Sequence, residues 1–247
     1  MKIERHIHLN QAVSTNSYIK ELLGMKTPLP ELSLVDAEFQ TGGRGQAGNS
    51  WESEKGKNLT FSLLCTPFFI PAHRQFVISQ VIALAVRQTL NEYIDDVEVK
   101  WPNDIYWHDK KIAGILIECE LMGAFIRNCI IGVGLNVNQK EFVSDAPNPV
   151  SLAQIIGFSM NREFLLNKII ENFIALYEKA KQGEASEIAK EYMNVLYRRE
   201  GLYQYEKPDG SRFMAEIAEV KPTGHLVLKK EDGTEETFEF KEVKFVI

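Results

Sequence analysis

Residues 3–9 alternate as an edge strand does, and residues 16–23 read as a short helix, with Ser14 or Thr15 as its N-cap and Gly24 as its C-cap. Residues 32–39 and 59–65 are apolar enough for strands, and a polar, glycine-rich stretch, 40–58, lies between them. Residues 73–94 are apolar on most of a helical surface, which predicts a long buried helix. Strands are predicted at 97–101 and 112–121 on either side of a turn at Pro102 and Asn103, and at 125–137, where Gly132 and Gly134 break an apolar run. A loop rich in Pro, Asn and Asp follows at 138–149. Leu166, Ile169, Ile170, Phe173, Leu176 and Tyr177 recur at helical spacing and predict a helix over 162–181, with a shorter one at 187–196.

The pattern changes near residue 200. Five short strand-like runs, at 203–206, 213–220, 225–229, 236–240 and 243–247, are mostly separated by turn signals such as Pro208-Asp209-Gly210 and Asp232-Gly233. Such spacing predicts a small β-barrel. The expected fold class is therefore α+β, a mixed sheet with helices over residues 1–198 followed by an all-β module over 199–247.

Composition narrows the partners. The chain has 28 basic and 34 acidic residues among 247, a net charge of −6. Residues 200–247 hold 7 basic and 11 acidic residues, so the β module carries most of that excess. This acidity argues against a nucleic-acid reader, which usually shows a basic face. No apolar run reaches the ~18 residues that a membrane helix needs. The three cysteines, Cys65, Cys119 and Cys129, are odd in number and widely spaced, so reduced thiols and a cytoplasmic location are expected.

Three stretches could carry chemistry. In the first, T41-G-G-R-G-Q-A-G-N-S-W51, Gly43, Gly45 and Gly48 fit G-x-G-x-x-G. A dinucleotide fold needs a helix to start at once, and Asn-Ser-Trp-Glu does not supply one. A flexible surface loop and a loop whose backbone approaches an anion, with Arg44 supplying charge, both remain open. The second, K100-W-P-N-D104 followed by K110-K-I-A-G-I-L-I-E118, places Lys100, Asn103, Asp104 and Lys111 at one end of a β unit. An ordinary polar turn with a surface Lys–Asp pair is the bland alternative, and Trp101 reads as core. In the third, G132-V-G-L-N-V-N138, Asn136 and Asn138 interrupt an apolar strand, where they can satisfy a turn or read the edge of a base.

Taken together, these stretches resemble the biotin–protein ligase family. S14-T-N16, G43-R-G45 with Trp51, K100-W-P-N-D104 with K111-x-A-G-I-L-x-E118, and G132-x-G-x-N136 occur in the family's order and approximate spacing, and the likeness extends through the C-terminal module. The resemblance implies a class II synthetase-like catalytic domain with an SH3-like barrel. Too little sequence precedes Ser14 for the helix-turn-helix of the family's bifunctional members, so the monofunctional kind, with no DNA partner and no membrane, is expected. A lipoate–protein ligase and a non-catalytic biotin sensor are the rival readings.

The resemblance also implies a reaction and roles. Biotin and ATP give biotinyl-5′-AMP and pyrophosphate, and a lysine of a biotin carboxyl carrier domain, from a carboxylase or decarboxylase, then takes the biotinyl group. Ser14, Thr15, Asn16, Gln40, Gly43, Arg44, Gly45, Lys111 and Gly114 are the implied biotin-binding residues. Trp51, Asn103, Asn136 and Phe142 are implied at the adenylate, under a covering loop at 138–149. Arg44, Lys100 and Lys111 would supply positive charge, and Asp104 would orient the attacking amine or accept its proton. Mg²⁺ would be held mainly by the phosphates rather than by the protein. A homodimer is left open. One departure from the family's common G-R-G-R-R-G pattern is that Gln46 and Ala47 replace the basic pair.

Overall fold

A computed structural model describes residues 1–144 and 148–247; the Ala47 side chain and residues 145–147 lie outside what it describes. Seven strands form one mixed sheet in the order β1-β2-β3-β7-β6-β5-β4. They are β1 (Arg5–Leu9), β2 (Ser33–Ala37), β3 (Leu59–Cys65), β4 (Val97–Lys100), β5 (Asp104–Trp107), β6 (Lys110–Met122) and β7 (Phe125–Leu135). Only β1 and β2 pair in parallel. Five α-helices accompany the sheet: α1 (Thr15–Gly24), α2 (Phe76–Leu90), α3 (Leu152–Ile156), α4 (Arg162–Lys181) and α5 (Ala185–Asn194).

Helix α2 is buried at twelve of its fifteen positions because it lies between the sheet and helices α4 and α5. Residues that alternate along β7 decide the two faces. Cys129, Ile131, Val133 and Leu135 point into the main core with Phe61, Leu63, Ile78 and Ile82. Ile130 faces the other side, with Ile19 of α1, Val35 and Leu64. Gly132 and Gly134 share that second face, so the sheet there has a floor without side chains. The register extends it across the sheet: Gly114 lies between Gly134 and Asp104, and Gly132 between Leu116 and Ser62.

The C-terminal strands are β8 (Tyr203–Glu206), β9 (Arg212–Val220), β10 (Leu226–Lys230), β11 (Glu235–Phe238) and β12 (Lys244–Phe245). They form an antiparallel sheet in the order β11-β10-β9-β8-β12, as an SH3-like module requires. Stacked rings of Tyr205, Phe213 and Phe238 fill its interior. Trp101 joins it to the larger sheet, with its indole N–H donating to Gly224 O at 2.9 Å and its ring 5.4 Å from Phe240.

Several sequence expectations shift. The helix expected over 73–94 is preceded by a 3₁₀ turn, Ala72–Arg74, and ends at Leu90. Gly24 is the last residue of α1 rather than its cap. The turn at Pro102 and Asn103 is present, but an unexpected strand, β5, starts directly after it, so Asp104 opens a strand and pairs with Lys100 across the hairpin. Helix α3 was not expected. It starts at a reciprocal cap, in which Ser151 Oγ accepts from Gln154 N–H and Gln154 Oε1 accepts from Ser151 N–H. Among the described residues, no helix is long and apolar enough to cross a membrane.

Candidate functional site

Above the glycine floor lies a cavity of about 740 Å³, within the usual range for small-ligand sites. Its two ends differ in chemistry. One end is built mainly of uncharged polar groups, with Arg44 at its edge, and it begins at the start of α1. Ser14 lines the cavity, and its hydroxyl makes no capping bond. Thr15 N–H donates to Gln40 Oε1 at 2.8 Å. Because the backbone can only donate, the Gln40 carbonyl is fixed toward Thr15 and its amide NH₂ is the group left for a ligand.

Asn16 lines the cavity, as expected of a site residue, and also braces its floor. Its Oδ1 accepts from Ser62 Oγ at 2.5 Å, and its Nδ2 donates to Glu118 Oε2 at 2.9 Å and to Leu116 O at 3.3 Å. Both of its amide N–H groups are thus used in holding the floor, while its Oδ1 keeps one lone pair. Ser62 also lies 2.6 Å from Thr15 Oγ1, which ties β3 to the start of α1. Burial pushes the Glu118 carboxyl up. Hydrogen bonds from Lys20 and Asn16, with the charges of Lys20 and Arg44, outweigh that and hold it below its usual range. Ser62 and Glu118 were not among the residues expected here, although a serine in the apolar run L59-T-F-S-L-L-C65 was the available signal.

The other end is cationic. Lys111 Nζ sits 2.7 Å from Asp104 and 5.7 Å from the centre of the Trp51 ring. Its backbone is fixed from both sides, by Asn148 O and by Val150 N–H. Lys100 is half-buried; desolvation lowers its pKa from the usual 10.5, with Asp104 opposing and Lys111 and Arg198 adding to the shift. Lys241 and Lys244, from the β module, also line the cavity. Among the described lining residues there are thus five basic side chains and one acidic one, within a chain of net charge −6. Such an arrangement suits a multiply charged anion.

Trp51 forms the wall between the ends. Its ring lies so close to the floor that a Cβ at Gly114 would sit 3.0 Å from Cζ3, and one at Gly134 would sit 2.8 Å from Cζ2. The indole N–H is buried and has no hydrogen-bond partner among the described residues. Gly43 is held against Trp51, with no room for a side chain, while Gly45 lines the cavity. Arg44 does not meet the lysines here; its guanidinium donates to Ser17 Oγ at 2.8 Å and lies 4.0 Å from Glu118.

Asn103 lines the cavity and donates to Ile115 O. Asn136 and Phe142 are not among its lining residues. Asn136 donates from Nδ2 to Val150 O at 3.1 Å, and its buried Oδ1 has no partner among the described residues. The covering loop expected at 138–149 lies partly outside the described residues. Of the rest, Val143 and Ser144 donate backbone N–H groups to the Glu52 carboxylate, next to Trp51.

Residues 10–136 match the profile of the Biotin/lipoate A/B protein ligase family. The chain belongs to this family. It is 35% identical over 156 residues to the bifunctional ligase/repressor BirA of Bacillus subtilis, covering 61% of this chain and 46% of that protein. It is 35% identical over 138 residues to the human biotin–protein ligase, covering 53% of this chain and 19% of that protein. The chain spans about half the length, or less, of these curated relatives. In fold it is similar to the Aquifex aeolicus biotin protein ligase in complex with biotin and ATP, with a TM-score of 0.82 and 23% identity over 98% of this chain and 100% of that one. The profile starts directly after β1 and ends directly after β7, so the glycine floor, Lys100, Asp104 and Lys111 all lie in the segment that defines the biotin/lipoate ligase family here.

Proposed function

We propose that the chain is a biotin–protein ligase, which joins biotin to ATP as biotinyl-5′-AMP and passes the biotinyl group to a lysine of a biotin carrier domain. The observation that carries this reading is the two-ended cavity. Ser14, Thr15 and Gln40 offer hydrogen bonds at one end, and Lys100 and Lys111 offer charge at the other. A ureido ring, with one carbonyl and two N–H groups, can satisfy such a polar end. A dithiolane, the head of lipoate, cannot, and buried polar groups left unmatched are costly. Relatives support the choice, since the human relative carries the name biotin–protein ligase and the Leishmania major structure of the same fold holds biotinyl-5-AMP.

In the first step a biotin carboxylate oxygen bonds to the α-phosphorus of ATP and the α–β P–O bond breaks, with its electron pair leaving on pyrophosphate. Two anions must meet, so preorganised positive charge at Lys100 and Lys111 lowers the barrier. In the second step the carrier amine attacks the acyl carbon, and AMP leaves with the electrons of the C–O bond. Asp104, the acidic side chain among the described lining residues, would accept the amine proton. No group of three or more His, Cys, Asp or Glu among the described residues could hold a metal ion, and Asp104 is already paired with Lys111. The described side chains therefore do not form a cage for Mg²⁺.

Exchange of labelled pyrophosphate into ATP tests the substrate. Exchange is expected with biotin and not with lipoate; exchange with lipoate alone would overturn the assignment.

A pH dependence follows from Lys100. Its charged form is the useful one, and its folded pKa lies below 10.5, so the adenylation rate falls as pH rises through that lowered value. Lys100→Arg, which stays protonated, removes this alkaline limb. Rapid-quench rates at several pH values check it, and identical limbs in both proteins would take Lys100 out of the role.

A further inference from the structure

Lys100 is a cation whose partners are rings. Its Nζ lies 5.0 Å from the ring centre of Tyr106, on β5, and 5.2 Å from that of Phe245, on β12. Among the described residues it has no carboxylate within 4.0 Å, because Asp104 is engaged by Lys111. The two rings come from different sheets, one from the seven-stranded sheet and one from the C-terminal module.

The Phe245 ring is itself fixed. Its backbone pairs with Tyr205, and its ring meets the Tyr205 ring edge-on at 5.0 Å. Val246 N–H donates to Gln204 O, and Val246 O accepts from Arg198 Nη1 at 2.7 Å. The Arg198 guanidinium in turn lies over Tyr197 and Tyr203. Phe245, two positions from the chain's last residue, is thus held by its strand pairing, by the Tyr205 ring and through its neighbour Val246.

We propose that Phe245 is a positioning residue, which holds the Lys100 ammonium between two aromatic faces, charged and unneutralised, where the anions of the reaction meet. The inference rests on the ligase reading for its effect on rate. The chemistry favours rings over a carboxylate at this place. A carboxylate would cancel the charge and repel the phosphates, whereas a ring face attracts a cation through its quadrupole and leaves its net charge available. The ring also limits the rotamers of a long side chain that would otherwise sweep a wide volume. On this view the C-terminal module completes the charged end of the cavity.

The test is a series at position 245 in the full chain. Phe245→Leu removes the ring face and keeps an apolar side chain. Phe245→Tyr keeps the face. Phenylalanines with one, two and three ring fluorines keep the shape and weaken the face in steps. Single-turnover formation of biotinyl-5′-AMP is expected to slow about tenfold or more in Phe245→Leu, as befits a desolvated cation–π contact, and by less than about threefold in Phe245→Tyr. It should fall stepwise with fluorination, with biotin affinity unchanged. A packing role alone would leave the fluorinated series flat, and a flat series overturns the proposal, as does an equal loss in Leu and Tyr. A second readout needs no substrate: the ¹³Cε resonance of Lys100 in the free protein should titrate at progressively lower pH as fluorines are added, because the charged form loses support. A titration that does not move overturns the proposal even where adenylation slows. A wild-type chain that forms no biotinyl-5′-AMP while this titration still moves would contradict the ligase reading and leave the Phe245 contact standing.

Discussion

Lys111→Ala is expected to slow biotinyl-5′-AMP formation by about a hundredfold or more while changing biotin affinity only a few-fold. The side chain acts where negative charge accumulates, so its loss appears in the chemical step. The backbone of residue 111 stays in place, because its N–H donates to Asn148 O and its carbonyl accepts from Val150 N–H. The substitution does more than remove a cation. Asp104, 2.7 Å from Lys111 Nζ, would lose its partner and face the incoming triphosphate as a bare anion. Adding Asp104→Asn to Lys111→Ala should therefore recover part of the adenylation rate, and a double variant slower than the single one would contradict this account of the pair. Quenched-flow measurement of a single turnover reads both effects. Near-normal adenylation by Lys111→Ala would remove the residue from the mechanism.

The second large effect is expected from one added methyl group. A Cβ at position 134 would lie 2.5 Å from Trp51 Nε1 and 2.8 Å from Cζ2, distances that real side chains do not reach. Gly134 is not among the residues with positive φ, so alanine meets no backbone penalty there and the effect is steric alone. The indole must move, and the wall between the two ends of the cavity moves with it. Displacements near 1 Å at a preorganised site can cost ~10²-fold, and a loss of that order in biotin affinity is expected for Gly134→Ala. Titration calorimetry checks the affinity, and a red shift of tryptophan emission reports the exposed indole. Unchanged affinity would mean that Trp51 does not shape the bound state.

The parts of this fold that were legible in the sequence are those with a strong local period. Helix α4 spans the residues that its apolar repeat marks, and β3 begins and ends where the polar flanks say. Strand β5 was hidden because Asn103-Asp104 carries a turn signal and Tyr106-Trp107-His108-Asp109 carries no alternation; only pairing with β4 and β6 makes it a strand. Helix α3 is a single cap-driven turn or so, too short for periodicity. At the site, Lys100, Asp104 and Lys111 stood out as polar groups in motifs, while Gln40 came only from the family resemblance. Ser62 meets Asn16 across 46 positions and Glu118 meets it across 102, and no local pattern announces such contacts. Phe245 was invisible for the same reason, since an aromatic residue near the end of a β module reads as core until Lys100 is found beneath it.

The central claim is that one cavity activates biotin and hands it to a protein. Intact-mass measurement of a biotin carrier domain, incubated with this chain, biotin and ATP, tests it most directly. A single biotinyl adduct on the carrier lysine, absent without ATP and strongly reduced with Lys111→Ala, is the predicted result. An unmodified carrier in the presence of active pyrophosphate exchange, or a carrier that takes up lipoyl and not biotinyl groups, would contradict it.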